Sequence, residues 1–266
     1  MVPDPPADPP RITREVRGSL LLIGFNRPAK KNAFDRAMLA GLAEAFTVLD
    51  RSPDLRCGVV FAHGSDFTAG LDLGDVAPAL AKGGGLTPAG GVDPFAVEGP
   101  ACSKPVVCAV QGLCLTLGIE LMLACDVVVA AENARFGQIE IRRGLFPFGG
   151  GTLRWVQTCG WGNAMRYLLT ADMLDSATAL RLGLVQEVVA PEQVLARALE
   201  IAETIAAQAP LGVMATLRSA RKALAEGPLA AARDLMPELA KIMQSEDVKE
   251  GLQSFLERRA GRFTGR

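Results

Sequence analysis

Apolar residues along this chain fall into two kinds of segment, short unbroken runs and helical repeats, and in the front half the two alternate. The runs "GSLLLIGF" (18–25), "CGVVFAHG" (57–64), "KPVVCAV" (104–110) and "DVVVAA" (126–131) read as buried strands. Between the first two, Met38, Leu39, Leu42, Phe46 and Leu49 recur at helical spacing. "FTAGLDLGDVA" (67–77) reads as a tight turn entering a short helix, and "LGIELMLAC" (117–125) as a helix. Strands that are apolar throughout, separated by helices, predict a parallel sheet covered on both faces, hence an α/β fold. Residues 81–100, rich in glycine and proline, are expected to form a mobile loop.

Beyond Gly151 the pattern turns helical, through "TLRWVQTCG", "NAMRYLLT", "SATALRLG", "PEQVLARALEIAETIAAQAP" and "LGVMATLRSARKALAEG", with amphipathic segments to Arg259. One short strand, "VQEVV" (185–189), interrupts them. A core of βα units with a helical appendage follows, and the appendage is the natural place for subunit contacts. No internal repeat of fixed period is present.

Composition narrows the picture by exclusion. With 49% apolar and 21% charged residues and a formal net charge of −1 over 266 residues, nothing draws the chain to nucleic acid or to a membrane surface. Glu120, Asp126 and Glu132 interrupt the best apolar stretch before it reaches the roughly 18 residues of a membrane span. The opening "MVPDPPADPP" has neither the basic nor the apolar region of a signal peptide and reads as a disordered proline-rich leader. Six cysteines, none in a CxxC pair, are expected as reduced, core-packed thiols in a cytoplasmic protein. His63 is the single histidine, which speaks against metal sites and triads that need a second, and it reads as a loop residue after a strand.

Chemistry concentrates where one arrangement occurs twice: strand, glycine turn, helix start. The glycine clusters at 83–85 and 149–151 lack both dinucleotide and P-loop spacing. "FTAGLDL" and "QGLCLTLGIEL", by contrast, each open a helix directly after a strand. In a parallel sheet both turns emerge at one edge, where α/β proteins bind ligands. Backbone N–H groups at helix starts are unpaired donors, so those near Leu71 and Leu117 can share one oxyanion. Thr116 is a candidate N-cap for the second helix. Glu120 lies in that helix's first turn, and Glu140 one loop beyond the fourth strand can return to the same edge. Two carboxyls beside an oxyanion site suit proton transfer next to an activated carbonyl, and burial raises such groups toward the working range. Taken singly, Glu120 equally fits a helix-dipole residue and Glu140 a surface residue.

From about Arg14 onward the chain resembles the crotonase superfamily, the enoyl-CoA hydratase/isomerase family. The resemblance rests on an ordered set: "RPAKKNAF", "FTAGLDL", "KPVVCAVQGLCLTLGIELMLACDVVVAAENARFGQIEI", "FPFGGGTLR" and "EGLQSFLERR". It implies a spiral of ββα units over 14–200 after a leader at 1–13, then a C-terminal helical region over 201–266 that assembles trimers or hexamers. It also implies an acyl-CoA substrate and no separate cofactor, coenzyme A being part of the substrate, with no metal. The N–H groups of Leu71 and Leu117 fall where the family polarises a thioester carbonyl. Glu120 and Glu140 fall on its hydratase glutamates, the first activating water for Cβ and the second delivering a proton to Cα. For the nucleotide end the resemblance implies Arg27, Lys30, Lys31 and Arg258 near phosphate and Phe255 near adenine. Ala33, Ala69, Asp72 and Phe148 complete the expected substrate-binding set.

Two departures bear on the reaction. Where the family has a run of glycines this chain has "TLG", which sets Leu117 at the second donor, and Phe148 stands where a glycine usually helps place water. With Phe146 and the 81–100 loop it is expected to wall the acyl site. Hydration of a 2-trans-enoyl-CoA is the first expectation. The alternatives are isomerisation, hydrolysis, dehydration of a specialised hydroxyacyl-CoA, or a non-catalytic CoA-binding subunit.

Overall fold

The computed structural model describes residues 9–266. The front half runs β1 (Ile12–Arg17), β2 (Leu20–Phe25), α1 (Arg36–Arg51), β3 (Cys57–Ala62), α2 (Leu73–Leu80), β4 (Val106–Val110), β5 (Leu113–Leu115), α3 (Leu117–Met122), β6 (Val127–Ala131) and β7 (Arg135–Gly137). After it come α4 (Gly151–Leu168), β8 (Leu174–Asp175), α5 (Ser176–Arg181), β9 (Glu187–Val189), α6 (Val194–Ala206), α7 (Pro210–Glu226), α8 (Pro228–Ile242) and α9 (Glu246–Glu257). Of the leader expected over 1–13, residues 1–8 lie outside the described residues, while Ile12 and Thr13 already belong to β1.

The main sheet has the order β1-β2-β3-β4-β6-β9, with β1 antiparallel to β2 and every other pairing parallel. β2 is buried along its whole length because its two faces enter two cores. Leu21, Ile23 and Phe25 join the larger core with Met38, Leu42 and Leu49 of α1. Leu20 and Leu22 turn the other way, with Val59, Val107 and Val129, toward α6. There α6 presents Val194, Ala198, Ala202 and Ala206 at four-residue spacing, a stripe of mostly alanine that lets the helix lie close to the sheet. The charged, exposed run from Arg14 to Arg17 on β1 guards the sheet's edge, and its lack of an apolar pattern hid this strand.

A second, shorter sheet, β5-β7-β8, lies at the ends of the first. Single bridges Thr68↔Cys114 and Phe34↔Leu71 extend it across the loops that follow β2 and β3. Each long strand is thus followed by a short segment in a second layer, which makes the core a stepped spiral. α4 is broken at Gly160, whose φ of 76° is the left-handed value, where the sequence pattern separates two helices.

Two expectations change here. The 81–100 segment is anchored, not free, because Asp93 is only 3% exposed and its carboxylate accepts from the N–H groups of Phe95, Val97 and Glu98 and from the Thr87 hydroxyl. Burial pushes this carboxyl up, but those donors together outweigh it and hold it below its ordinary range. Asp93→Ala is therefore expected to cost about 3 kcal/mol at neutral pH and to abolish amide-exchange protection at residues 95, 97 and 98. The stabilisation is present above the ordinary value of 3.8 and is lost as pH falls through the lower folded value. The second change is at the C-terminal boundary. Residue 200 falls inside α6, which belongs to the core, so the projecting helical region begins at α7. Arg221 of α7 ties it back, donating to Asp126 at 2.8 Å and to the Cys102 carbonyl at 2.5 Å.

The cysteines are packed as expected. Cys57, Cys102, Cys108 and Cys114 are buried, Cys125 and Cys159 half-buried, and all are free; burial pushes the Cys57 thiol up to about 12. Among the described residues no helix is long and apolar enough to cross a membrane.

Candidate active site

The two glycine turns meet. Gly70 has a φ of 89°, and a Cβ built on it falls 2.0 Å from the Thr116 hydroxyl oxygen. The residues immediately before the two expected donors are therefore in van der Waals contact, which brings Leu71 and Leu117 to one place. Neither of their N–H groups has a hydrogen-bond partner among the described residues. Thr116 does not cap α3 with its side chain. It holds φ 49° and ψ −115°, a conformation L-residues rarely adopt, and its carbonyl accepts from the N–H groups of Ile119 at 2.8 Å and Glu120 at 3.2 Å. The strain turns the 116–117 peptide so that its N–H faces away from the helix. The Leu117 side chain is 1% exposed and belongs to the core, its Cδ1 resting over Gly149. The isobutyl group thus packs beneath the turn.

Glu120 and Glu140 both lie at this step, buried to 1% and 7% exposure. Glu120 Oε1 accepts from the Gly151 N–H at 2.8 Å. Burial raises its carboxyl to about 7, against the opposing pull of the Gly151 N–H, with the Glu140 charge adding to the rise and Arg154 opposing it. Glu140 opens the 3-10 turn Glu140–Arg143, and its Oε1 accepts from the Gln138 amide at 2.6 Å. Gln138 is held in turn by the Trp155 indole N–H, which donates to its oxygen at 3.2 Å. Glu140 Oε2 has no partner at all, alone in this among the buried side-chain nitrogens and oxygens described. Burial raises the Glu140 carboxyl as well, against its own N–H and Gln138. An orphaned carboxyl oxygen is costly in a finished core and favours the protonated acid.

The expected substrate-binding residues divide. Lys31, Ala33 and Ala69 come together beside Leu71, since Ala69 N–H donates to the Lys31 carbonyl at 2.9 Å and the Phe34–Leu71 bridge follows directly. Lys30 and Lys31 are exposed on a turn that Asn32 locks, accepting from Arg27 N–H and donating to the carbonyls of His63 and Asp66. Arg27 is largely enclosed, and its guanidinium is already paired with Asp72 at 2.8 Å and Asp35 at 3.3 Å. Arg27 and Asp72 thus brace the turn against each other, which leaves the two lysines as its free cations. Phe148 is half-buried against the core, with the exposed Phe146 ring 6.4 Å away. Phe255 and Arg258 are not gathered here. Both are exposed at the end of α9, whose Asp247 holds the N–H groups of Thr264 and Gly265. That tail is fastened to Arg56, at the opposite end of β3 from the Gly70–Leu71 turn.

Sequence reasoning missed the 149–151 turn as the clasp on Glu120. A Cβ at Gly149 would lie 2.8 Å from Glu120 Oε2, and one at Gly151 2.9 Å from Oε1, so the carboxyl fits only under glycine. It also missed Gln138, Trp155 and Arg154, none of which has a local signature.

A parallel sheet wound into such steps, with paired backbone donors where they turn, is the architecture of the crotonase superfamily, and this chain is a member. More narrowly, it belongs to the enoyl-CoA hydratase/isomerase family, whose model matches residues 15–266. It is similar to a solved probable enoyl-CoA hydratase/isomerase from Mycobacterium abscessus, 50% identical with a TM-score of 0.93, covering 96% of this chain and 99% of that one. Among curated proteins it is 34% identical to the enoyl-CoA hydratase EchA19 of Mycobacterium tuberculosis, over 95% of this chain and 96% of the relative. It is likewise 34% identical to the 2,3-dehydroadipyl-CoA hydratase of Escherichia coli, over 96% and 98%. The family and these relatives make it an enzyme of the enoyl-CoA hydratase type, a hydro-lyase.

Proposed function

We propose that the protein adds water reversibly to a 2-trans-enoyl-CoA, giving a 3-hydroxyacyl-CoA. The observation that carries this reading is the pair of buried carboxyls beside two unpaired N–H donors, one carboxyl clasped and the other with a free oxygen. Glu120, ionised, takes a proton from water as its oxygen bonds to Cβ. The electrons move through Cα to the thioester oxygen, where the Leu71 and Leu117 N–H groups stabilise the enolate. Glu140, protonated, then gives Cα its proton, so the elements of water are added and nothing is oxidised or reduced.

Lys30 and Lys31 supply charge for the phosphates of coenzyme A. Phe255 and Arg258 serve a neighbouring subunit's site, because in one chain they are attached at the far end of β3. That reading agrees with a homotrimer or a dimer of trimers, for which α7 to α9 leave Leu229, Met236, Leu252 and Leu256 largely exposed. Phe146 and Phe148 border the acyl side and set the acyl preference.

The test is loss of the conjugated enoyl-thioester absorbance of crotonyl-CoA. Turnover by the unaltered protein, reduced about 10²–10⁴-fold in Glu140→Gln, is the expected result. No turnover of crotonyl-CoA or of longer and cyclic 2-enoyl-CoAs overturns hydration and turns attention to the isomerase and hydrolase alternatives.

A further inference from the structure

Arg154, on α4, is a half-buried cation that the hydration chemistry does not itself use. Its guanidinium reaches three backbone carbonyls from two separate segments. It donates to Phe95 at 2.5 Å and Ala96 at 3.3 Å in the Asp93-anchored loop, and to Gly149 at 3.3 Å in the turn that clasps Glu120. The loop is therefore held from both polarities, its N–H groups by Asp93 and its carbonyls by Arg154. Ala96 carries a φ of 50° at this grip, a strained value for alanine that surrounding contacts must maintain. Gly150 completes the fit, since a Cβ there would lie 2.1 Å from an Arg154 terminal nitrogen and 3.1 Å from Val97.

The charges that face this guanidinium come from three sides, Glu120 of α3, Asp93 of the loop and Arg221 of α7, while the buried Cys125 thiol after α3 stays protonated beside it. Facing Glu120 in turn are the Glu140 carboxyl, a like charge when it is ionised, and the opposite charge of Arg154. Arg154 is thus the one cation facing Glu120 among these groups. The Gly151 and Gly149 N–H groups favour the ionised carboxyl more strongly, and Arg154 adds the positive charge on the same side.

We infer that Arg154 is a positioning residue for Glu120: its fork clamps the 93–98 loop onto the 149–151 turn, and its charge favours the ionised base across that turn. The inference rests on the reading of Glu120 as the base for water. Two substitutions separate its parts. Arg154→Gln keeps a donor and removes the charge; Arg154→Lys keeps the charge and loses the planar fork, reaching fewer carbonyls.

The experiment is a direct titration of Glu120 by carbon NMR of protein isotope-labelled at glutamate Cδ, with Glu120→Gln to assign its signal. It is paired with kcat/KM for crotonyl-CoA across pH. Arg154→Gln is expected to raise the Glu120 midpoint by about one pH unit and to carry the acid limb of the rate profile with it. Arg154→Lys is expected to leave the midpoint in place while lowering kcat about tenfold through misplacement of Glu120. An unchanged midpoint in Arg154→Gln overturns the inference. Should that variant fail to fold, the Arg154 Nε resonance of the unaltered protein decides: it must shift with the Glu120 midpoint, and a flat response overturns the inference. A protein that titrates as expected yet hydrates no enoyl-CoA keeps the link between the two residues and refutes the proposed reaction instead.

Discussion

Glu120→Gln is expected to lower hydration of crotonyl-CoA by about 10³-fold and, at pH 8, to make the protein more stable. The two effects share one cause. The fold buries this carboxyl and raises it from its ordinary 4.5 to about 7. A group raised by folding contributes stability that is fully present below the unfolded value and is lost as pH rises through the folded one. Above about pH 7 the enzyme therefore carries a buried charge at a cost of about 3 kcal/mol, and the ionised form it carries is the base of the proposed hydration. An amide abolishes both. It returns part of the cost, since its Oε1 still accepts from Gly151 while its NH₂ turns a donor toward the Gly149 side, leaving a net gain of about 1–2 kcal/mol. Melting at pH 8 is expected to rise by about 4 °C, with no gain at pH 4 where both proteins are neutral at this position. Equal melting temperatures at pH 8 would show that burial is not what raises Glu120.

Gly70→Ala is expected to cost about 10²–10³-fold in kcat while leaving a folded protein. The added methyl group would sit 2.0 Å from the Thr116 hydroxyl, on a residue whose φ of 89° already penalises any side chain. The Thr116 side chain must give way and the Gly70 turn must relieve its φ strain, which shifts the two turns so that the Leu71 and Leu117 donors separate. Stability falls by about 1–3 kcal/mol, too little to unfold a domain of this size. Gly212→Ala serves as control. That glycine lies inside α7 with nothing within 4 Å, so alanine there is expected to stabilise slightly and leave turnover unchanged. Equal loss of turnover in both variants would refute the paired-donor reading. Near-normal turnover in Gly70→Ala, with melting lowered as expected, would refute it as well.

What could be foreseen from the chain alone was local. Short valine-rich apolar runs bounded by turn residues read as strands with both faces covered, and β2, β3, β4 and β6 lie within the runs so assigned. The glycines of the two turns and the apolar setting of Glu120 and Glu140 were equally visible, because a left-handed turn and a charge inside an apolar run each leave a mark at one position. β1 escaped because its single buried end gives no alternation to read, and Asp93 because an aspartate among glycines and prolines looks like any loop residue until its N–H partners converge on it. Arg27 carried the same misleading signal: a cation beside two lysines reads as a phosphate ligand, yet two aspartates from other segments, Asp35 and Asp72, claim it.

The sequence by itself determined the α/β class, the order of the longer strands and helices, and the residue types that the proposed chemistry requires. Only the tertiary structure decided that Gly70 touches Thr116, that the 149–151 turn closes on Glu120, that Glu140 keeps a bare oxygen, and that Arg154 grips two segments at once. The physical reason is range. Periodicity and turn geometry are set by neighbours a few residues apart, whereas a hydrogen bond or a 2 Å approach depends on where distant segments come to rest once both cores are packed.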